Sequence, residues 1–134
     1  DPRHLQKLAG TIATTLAAQD GGAARDWPMT LPSGEPKDAA VYQIAEQWVK
    51  VDAPAASEWI RTLPPGNGRD SATVRLIDNI RRREPASALE WAQSMQNEQQ
   101  REQQTRQVLN DWQEQDPEAA QAARAALLEA AKPQ

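Results

Sequence analysis

The residues of this sequence that could perform chemistry are carboxylates and arginines, because it holds one histidine, His4, and no cysteine. Without cysteine there is no thiolate nucleophile, disulfide or cysteine zinc site, and one histidine cannot form a histidine-based metal site. Aspartates and glutamates are plentiful, but the repeated ones fall at predicted helix starts, where no buried partner prepares them for acid–base catalysis. No glycine-rich phosphate loop or nucleophile elbow is present. The sequence therefore predicts no catalytic residue, no metal site, no cofactor and no enzymatic activity.

Polar residues that recur 32 positions apart are the best candidates for a binding surface. They form two columns, Gln43, Arg75 and Gln107 in one and Gln47, Asn79 and Asp111 in the next. Columns that stay polar but vary in identity are typical of a surface adapted to one partner, and equally of a solvated helix face. We predict that these residues contact a protein or a peptide.

Composition limits the partners further. The 134 residues are enough for one domain, with 15 basic and 19 acidic side chains and a net charge of -4. An acidic chain lacks the basic face that phosphate neutralisation needs, so we expect no nucleic-acid partner. The single basic run, residues 81–83, is interpreted as a solvated helix end. No stretch approaches eighteen apolar residues, so we expect no membrane insertion.

The elements that must position these residues follow from an internal repeat. Trp27, Trp59 and Trp91 are each 32 residues apart, and an unbroken alanine column lies at Ala24, Ala56, Ala88 and Ala120. The register needs no insertion or deletion along the whole chain. It divides one domain into a half unit at 1–19, full units at 20–51, 52–83 and 84–115, and a half unit at 116–134.

Each full unit is predicted to hold two helices, named helix A and helix B. In the second unit, Asp52 can cap helix A and Pro54 lies in its first turn, where its missing N–H does no harm. Proline and glycine at 64–68 end it, and helix B follows over about 69–83. Apolar residues recur at helical spacing, and no alternating strand pattern is found. The tryptophans belong to this apolar set, and we expect them to pack in the core. The sequence predicts an all-α fold of eight helices, a short α-solenoid of helical hairpins.

Two units depart from this pattern. Pro28 lies inside the first helix A, which we expect to be short or broken. The third unit lacks the proline–glycine stop, but its intact register predicts a turn near Asn97. The dipeptide Arg69-Asp70 recurs as Lys37-Asp38 and Arg101-Glu102, and we interpret it as helix capping combined with an ion pair between units.

The sequence resembles a recurrent bacterial family of two-helix repeats. Residues 112–120 read WQEQDPEAA, residues 59–66 read WIRTLPPG and residues 69–72 read RDSA. These stretches are similar to the family pattern W-x3-D-P-x-A-A-x2-W-x3-L-P-x-G-x2-R-D-x-A. The resemblance covers the whole chain and implies a two-helix solenoid similar to tetratricopeptide and HEAT repeats. For function it implies interaction or scaffolding.

Three functions are compatible with these observations. The first is a non-catalytic protein- or peptide-binding scaffold. The second is an accessory helical domain of a larger bacterial cell-envelope enzyme, and the third is a passive spacer. The start at Asp1 with an orphan half unit leads us to expect the C-terminal part of a longer protein. Composition and resemblance favour the bacterial periplasm or cell envelope, while the oligomeric state stays open.

Overall fold

The computed structural model describes residues 35–132, and these residues form six helices and no strand. The helices are α1 (Glu35–Val51), α2 (Ala53–Thr62), α3 (Asn67–Ile80), α4 (Pro85–Gln93), α5 (Glu98–Gln115) and α6 (Pro117–Ala131). The all-α prediction is confirmed for this part of the chain. The predicted half unit at 1–19 and the first helix A, with Trp27 and Pro28, lie outside the described residues.

Aspartate followed by proline starts two of the helices, as predicted. The Asp52 carboxylate accepts a hydrogen bond from the Ala55 N–H at 3.1 Å, and Asp116 accepts one from the Ala119 N–H at 3.2 Å. Each helix then has proline in its first turn. Glu84 holds the equivalent place before α4, but its longer side chain makes no capping bond. A cap of this kind is typically worth about 1 kcal/mol.

Helix α3 differs from the predicted range of about 69–83. It begins at Asn67, after Gly66, whose φ of +152° is a backbone conformation that favours glycine. It ends at Ile80, and residues 81–83 form a turn in which the N–H groups of Arg83 and Glu84 both donate to the Ile80 carbonyl. The following Pro85 explains the early end, because a residue before proline is disfavoured in helical geometry.

A turn separates α4 from α5, although this unit has no proline–glycine stop. Helix α4 ends at Gln93 and α5 begins at Glu98. Asn97 is the N-cap of α5, and its side-chain oxygen accepts a hydrogen bond from the Gln100 N–H at 2.9 Å. The predicted turn near Asn97 is therefore confirmed.

Tryptophans form the centre of the core. Trp48 and Trp59 are each 2% exposed, with ring centroids 5.5 Å apart and ring planes tilted by 41°. Trp91 is also buried, so the prediction of core packing is confirmed for these three. Trp112 is only half-buried, against the prediction. The aliphatic core around them includes Ile44, Ile60, Leu63, Leu76, Ile77, Ile80, Met95 and Val108.

The helices pack mainly against their neighbours in sequence, with one addition. Helix α1 packs against both α2 and α3, and its contact with α3 is the most extensive in the described residues. The A helices α2, α4 and α6 begin 32 residues apart. The contact between α1 and α3 places two helices that were both predicted as B helices side by side. The stacking of all hairpins into a solenoid stays a prediction.

Asp70 connects α3 to the turn before α5. Its side chain is buried, and its two oxygens accept hydrogen bonds from the backbone N–H groups of Gln96 at 3.0 Å and Asn97 at 2.9 Å. The predicted contact between units is therefore a carboxylate–backbone bond. Among the described residues Arg69 forms no ion pair, so the predicted ion pair at this dipeptide is wrong for Arg69 and Asp70.

Candidate functional site

The predicted binding residues lie on the three B helices of the described chain. Of the six, only Gln107 is exposed and the others are half-buried. Helices α1 and α3 lie side by side, and α1 carries Gln43 and Gln47 while α3 carries Arg75 and Asn79. We call these four residues the helix-B face. Gln107 and Asp111 lie on α5, which contacts α3 much less.

A cleft opens between α1 and α3 at the helix-B face. Its volume is about 200 Å³. It is lined by Glu46, Val49, Lys50, Arg75, Asp78 and Asn79. Two basic and two acidic side chains make it balanced in charge. A surface of this kind favours a partner with polar, uncharged groups over a strongly charged one.

Arg75 is held in place by two neighbours. Its Nη2 lies 2.9 Å from Asp78 Oδ2, one helical turn away. The guanidinium carbon lies 5.6 Å from the centroid of the Tyr42 ring, a cation–π distance. The charge of Arg75 is thus partly compensated within the protein, and the side chain has a defined position at the rim of the cleft.

Arg81 joins α3 to α5 through carboxylates on both helices. Its Nη1 lies 3.1 Å from Asp78 Oδ1, and its Nε lies 2.8 Å from Asp111 Oδ2. Arg83 Nη2 donates to the Asn79 side-chain oxygen at 2.7 Å. Asp111 and Asn79 are therefore already engaged with other side chains. The prediction that residues 81–83 are a solvated helix end is therefore wrong for Arg81, which is half-buried and paired with two carboxylates.

Two buried polar atoms of the helix-B face have no hydrogen-bond partner among the described residues. They are Gln43 Oε1, an acceptor, and Arg75 Nε, a donor. Leaving a buried polar atom unpaired typically costs about 1–3 kcal/mol. Both side chains are half-buried as a whole, so each is in part accessible to a bound group.

Residues 35–132 contain no group of three or more histidine, cysteine, aspartate or glutamate side chains arranged to hold a metal ion. None of their helices combines the length and the apolar character that crossing a membrane requires.

Comparison with known proteins does not help to interpret this site. No family model, curated protein or solved structure matches the chain.

Proposed function

We propose that this chain is a non-catalytic scaffold of helical repeats that binds a protein or peptide through the helix-B face. The observation that carries the proposal is a pair of unpaired buried polar atoms on this face, an acceptor on Gln43 and a donor on Arg75, beside a cleft that Arg75 and Asn79 line. The proposal includes no enzymatic step.

A peptide is the partner class that fits these groups. Every peptide unit offers one N–H donor and one C=O acceptor, which are the complements of Gln43 Oε1 and Arg75 Nε. The balanced charge of the cleft adds no strong preference for an acidic or a basic partner. Recognition of a peptide main chain is consistent with the unpaired atoms of Gln43 and Arg75 and with the balanced charge of the cleft.

The repeat pattern supports an extended binding surface. Solenoids present equivalent positions of successive units along one face, so a partner can contact several units at once. In this proposal the helix-B face is one section of such a surface, and Gln107 and Asp111 on α5 continue it. Asp111 contributes mainly by holding Arg81 in place.

The test is selection of a random peptide library on the immobilised full chain and on two triple variants. The first variant, Gln43→Ala/Gln47→Ala/Arg75→Ala, removes the polar groups of the helix-B face. The second is a matched control, Gln99→Ala/Gln103→Ala/Arg82→Ala, which deletes the same residue types at exposed positions away from the cleft.

We expect a common peptide motif to be enriched on the parent chain and on the control, and to be lost on the face variant. Circular dichroism must show that both variants keep the parent helicity. Failure to enrich any motif on the parent would refute peptide binding and favour the spacer function. Equal loss on both variants would show that binding, where present, does not use the helix-B face.

A further inference from the structure

A larger pocket lies between α4, α5 and α6 and shares no residue with the helix-B face. Its volume is about 490 Å³. It is lined by Gln93, Arg101, Glu102, Thr105, Arg106, Leu109, Asn110 and Arg124. This volume is within the range of ordinary ligand pockets, which is roughly 300–1,000 Å³.

The pocket is basic within an acidic protein. Three arginines line it against a single carboxylate, Glu102, while the whole chain has a net charge of -4. None of the three arginines forms an ion pair with Glu102 or with any other carboxylate in residues 35–132. The positive charges of this pocket are therefore not neutralised within the described chain.

Two of these arginines are positioned by neutral acceptors. Arg101 Nη1 donates to the Met95 carbonyl at 3.1 Å, and Arg124 Nη1 donates to the Gln113 side-chain oxygen at 2.7 Å. Neutral acceptors orient a guanidinium without cancelling its charge. Each of these side chains retains further N–H donors, because a guanidinium carries five. Both arginines are thus fixed in position and able to bind an anion.

Arg106 differs because it is exposed and its side chain forms no hydrogen bond or ion pair within residues 35–132. Leu109, nearly buried, supplies apolar surface beside it. Gln93 closes one wall by donating from its side-chain amide to the Thr105 hydroxyl at 2.7 Å. The pocket thus combines a free guanidinium, two positioned ones and an apolar contact.

We propose that this pocket binds an acidic peptide segment. Carboxylate side chains of the segment pair with the three guanidinium groups, which match carboxylate geometry through paired N–H donors. The methylene groups of the same side chains pack on Leu109. A nucleic acid fits less well, because a long phosphate backbone would extend from this small pocket over an acidic surface. This site is additional to the helix-B face and is independent of it.

The experiment measures fluorescence anisotropy of a labelled peptide of alternating Asp and Glu, titrated with the full chain. A matched peptide of alternating Asn and Gln tests whether charge is required. The variant Arg106→Glu reverses the free charge of the pocket. Arg82→Glu is the matched control, because Arg82 is also exposed but lies in the turn after α3, outside the pocket.

We expect the acidic peptide to bind, the neutral peptide not to bind, and added salt to weaken binding. Arg106→Glu should raise Kd by at least about tenfold, since it replaces an attraction with a repulsion, whereas Arg82→Glu should change it by less than about twofold. No binding to the parent chain would overturn the proposal, as would equal losses in the two variants. Tighter binding of single-stranded RNA, lost in Arg106→Glu, would overturn the peptide assignment. The variant Gln43→Ala/Gln47→Ala/Arg75→Ala should bind the acidic peptide normally, so failure at either site can be told from failure at the other.

Discussion

Replacing Asp70 should destabilise the fold more than replacing any other carboxylate of the described residues. Its two oxygens hold the N–H groups of Gln96 and Asn97, and its side chain is buried. A hydrogen bond to a charged group contributes typically about 1.5–3 kcal/mol. Because Gln96 and Asn97 are exposed residues, water can partly replace the lost acceptor. We therefore expect Asp70→Ala to lower the free energy of unfolding by about 2–3 kcal/mol.

The sequence provides a matched control at Asp38, which is 32 positions earlier. The residues that correspond to Gln96 and Asn97 are Pro64 and Pro65, and proline has no N–H to donate. Asp38 therefore cannot form the two bonds that Asp70 forms. Asp38→Ala should lose its favourable interaction with the start of α1 and its packing against Gly68 of α3, and without backbone hydrogen bonds we expect a cost of only about 0.3–1 kcal/mol.

Urea unfolding followed by circular dichroism measures both variants. With a slope of roughly 1–3 kcal/mol per molar urea, Asp70→Ala should shift the midpoint downward by about 0.7–3 M, with the slope unchanged. Asp70→Asn keeps one acceptor oxygen and should lie between parent and Asp70→Ala. A loss below about 0.5 kcal/mol for Asp70→Ala, or equal losses for Asp70→Ala and Asp38→Ala, would refute the carboxylate–backbone contact as a stabilising link.

Three further predictions concern packing, capping and ion pairing. Trp48→Ala should cost about 3–5 kcal/mol, because the ring is almost fully buried, and half-buried Trp112→Ala should cost clearly less; equal unfolding midpoints in urea would contradict the core arrangement. Asp52→Ala removes the cap of α2 and should cost about 1 kcal/mol, with Asp52→Asn recovering most of it in the same assay. A double-mutant cycle of Arg81→Ala and Asp111→Ala should give a coupling of about 1 kcal/mol that decreases in salt, and a coupling of zero would exclude a stabilising ion pair.

Local features of the fold followed from the sequence because they depend on residues close in the chain. Asp52 and Pro54 indicate a helix start through a side chain that reaches three residues ahead. Asn97 indicates a turn in a unit that lacks the usual proline and glycine. The helical spacing of apolar residues likewise indicated the buried positions of Trp48, Trp59 and Trp91.

The candidate sites could be predicted only in part. The 32-residue register predicts the residues of the helix-B face, but it does not show that α1 and α3 pack closely together. It gave no sign of the ion pair between Arg81 of α3 and Asp111 of α5. It also gave no sign of the arginine pocket, whose lining comes from three helices and from residues up to 31 positions apart.

The sequence by itself therefore determined the helices, most of their boundaries and the residues of the core, because capping and helical periodicity act within one or two turns. Only the tertiary structure decided which carboxylate meets which backbone group. Asp70 and Asp38 hold equivalent places in the repeat, yet only Asp70 faces N–H groups that can donate to it. The tertiary structure likewise left Trp112 half-buried, because burial depends on what packs against a side chain and not on its own register.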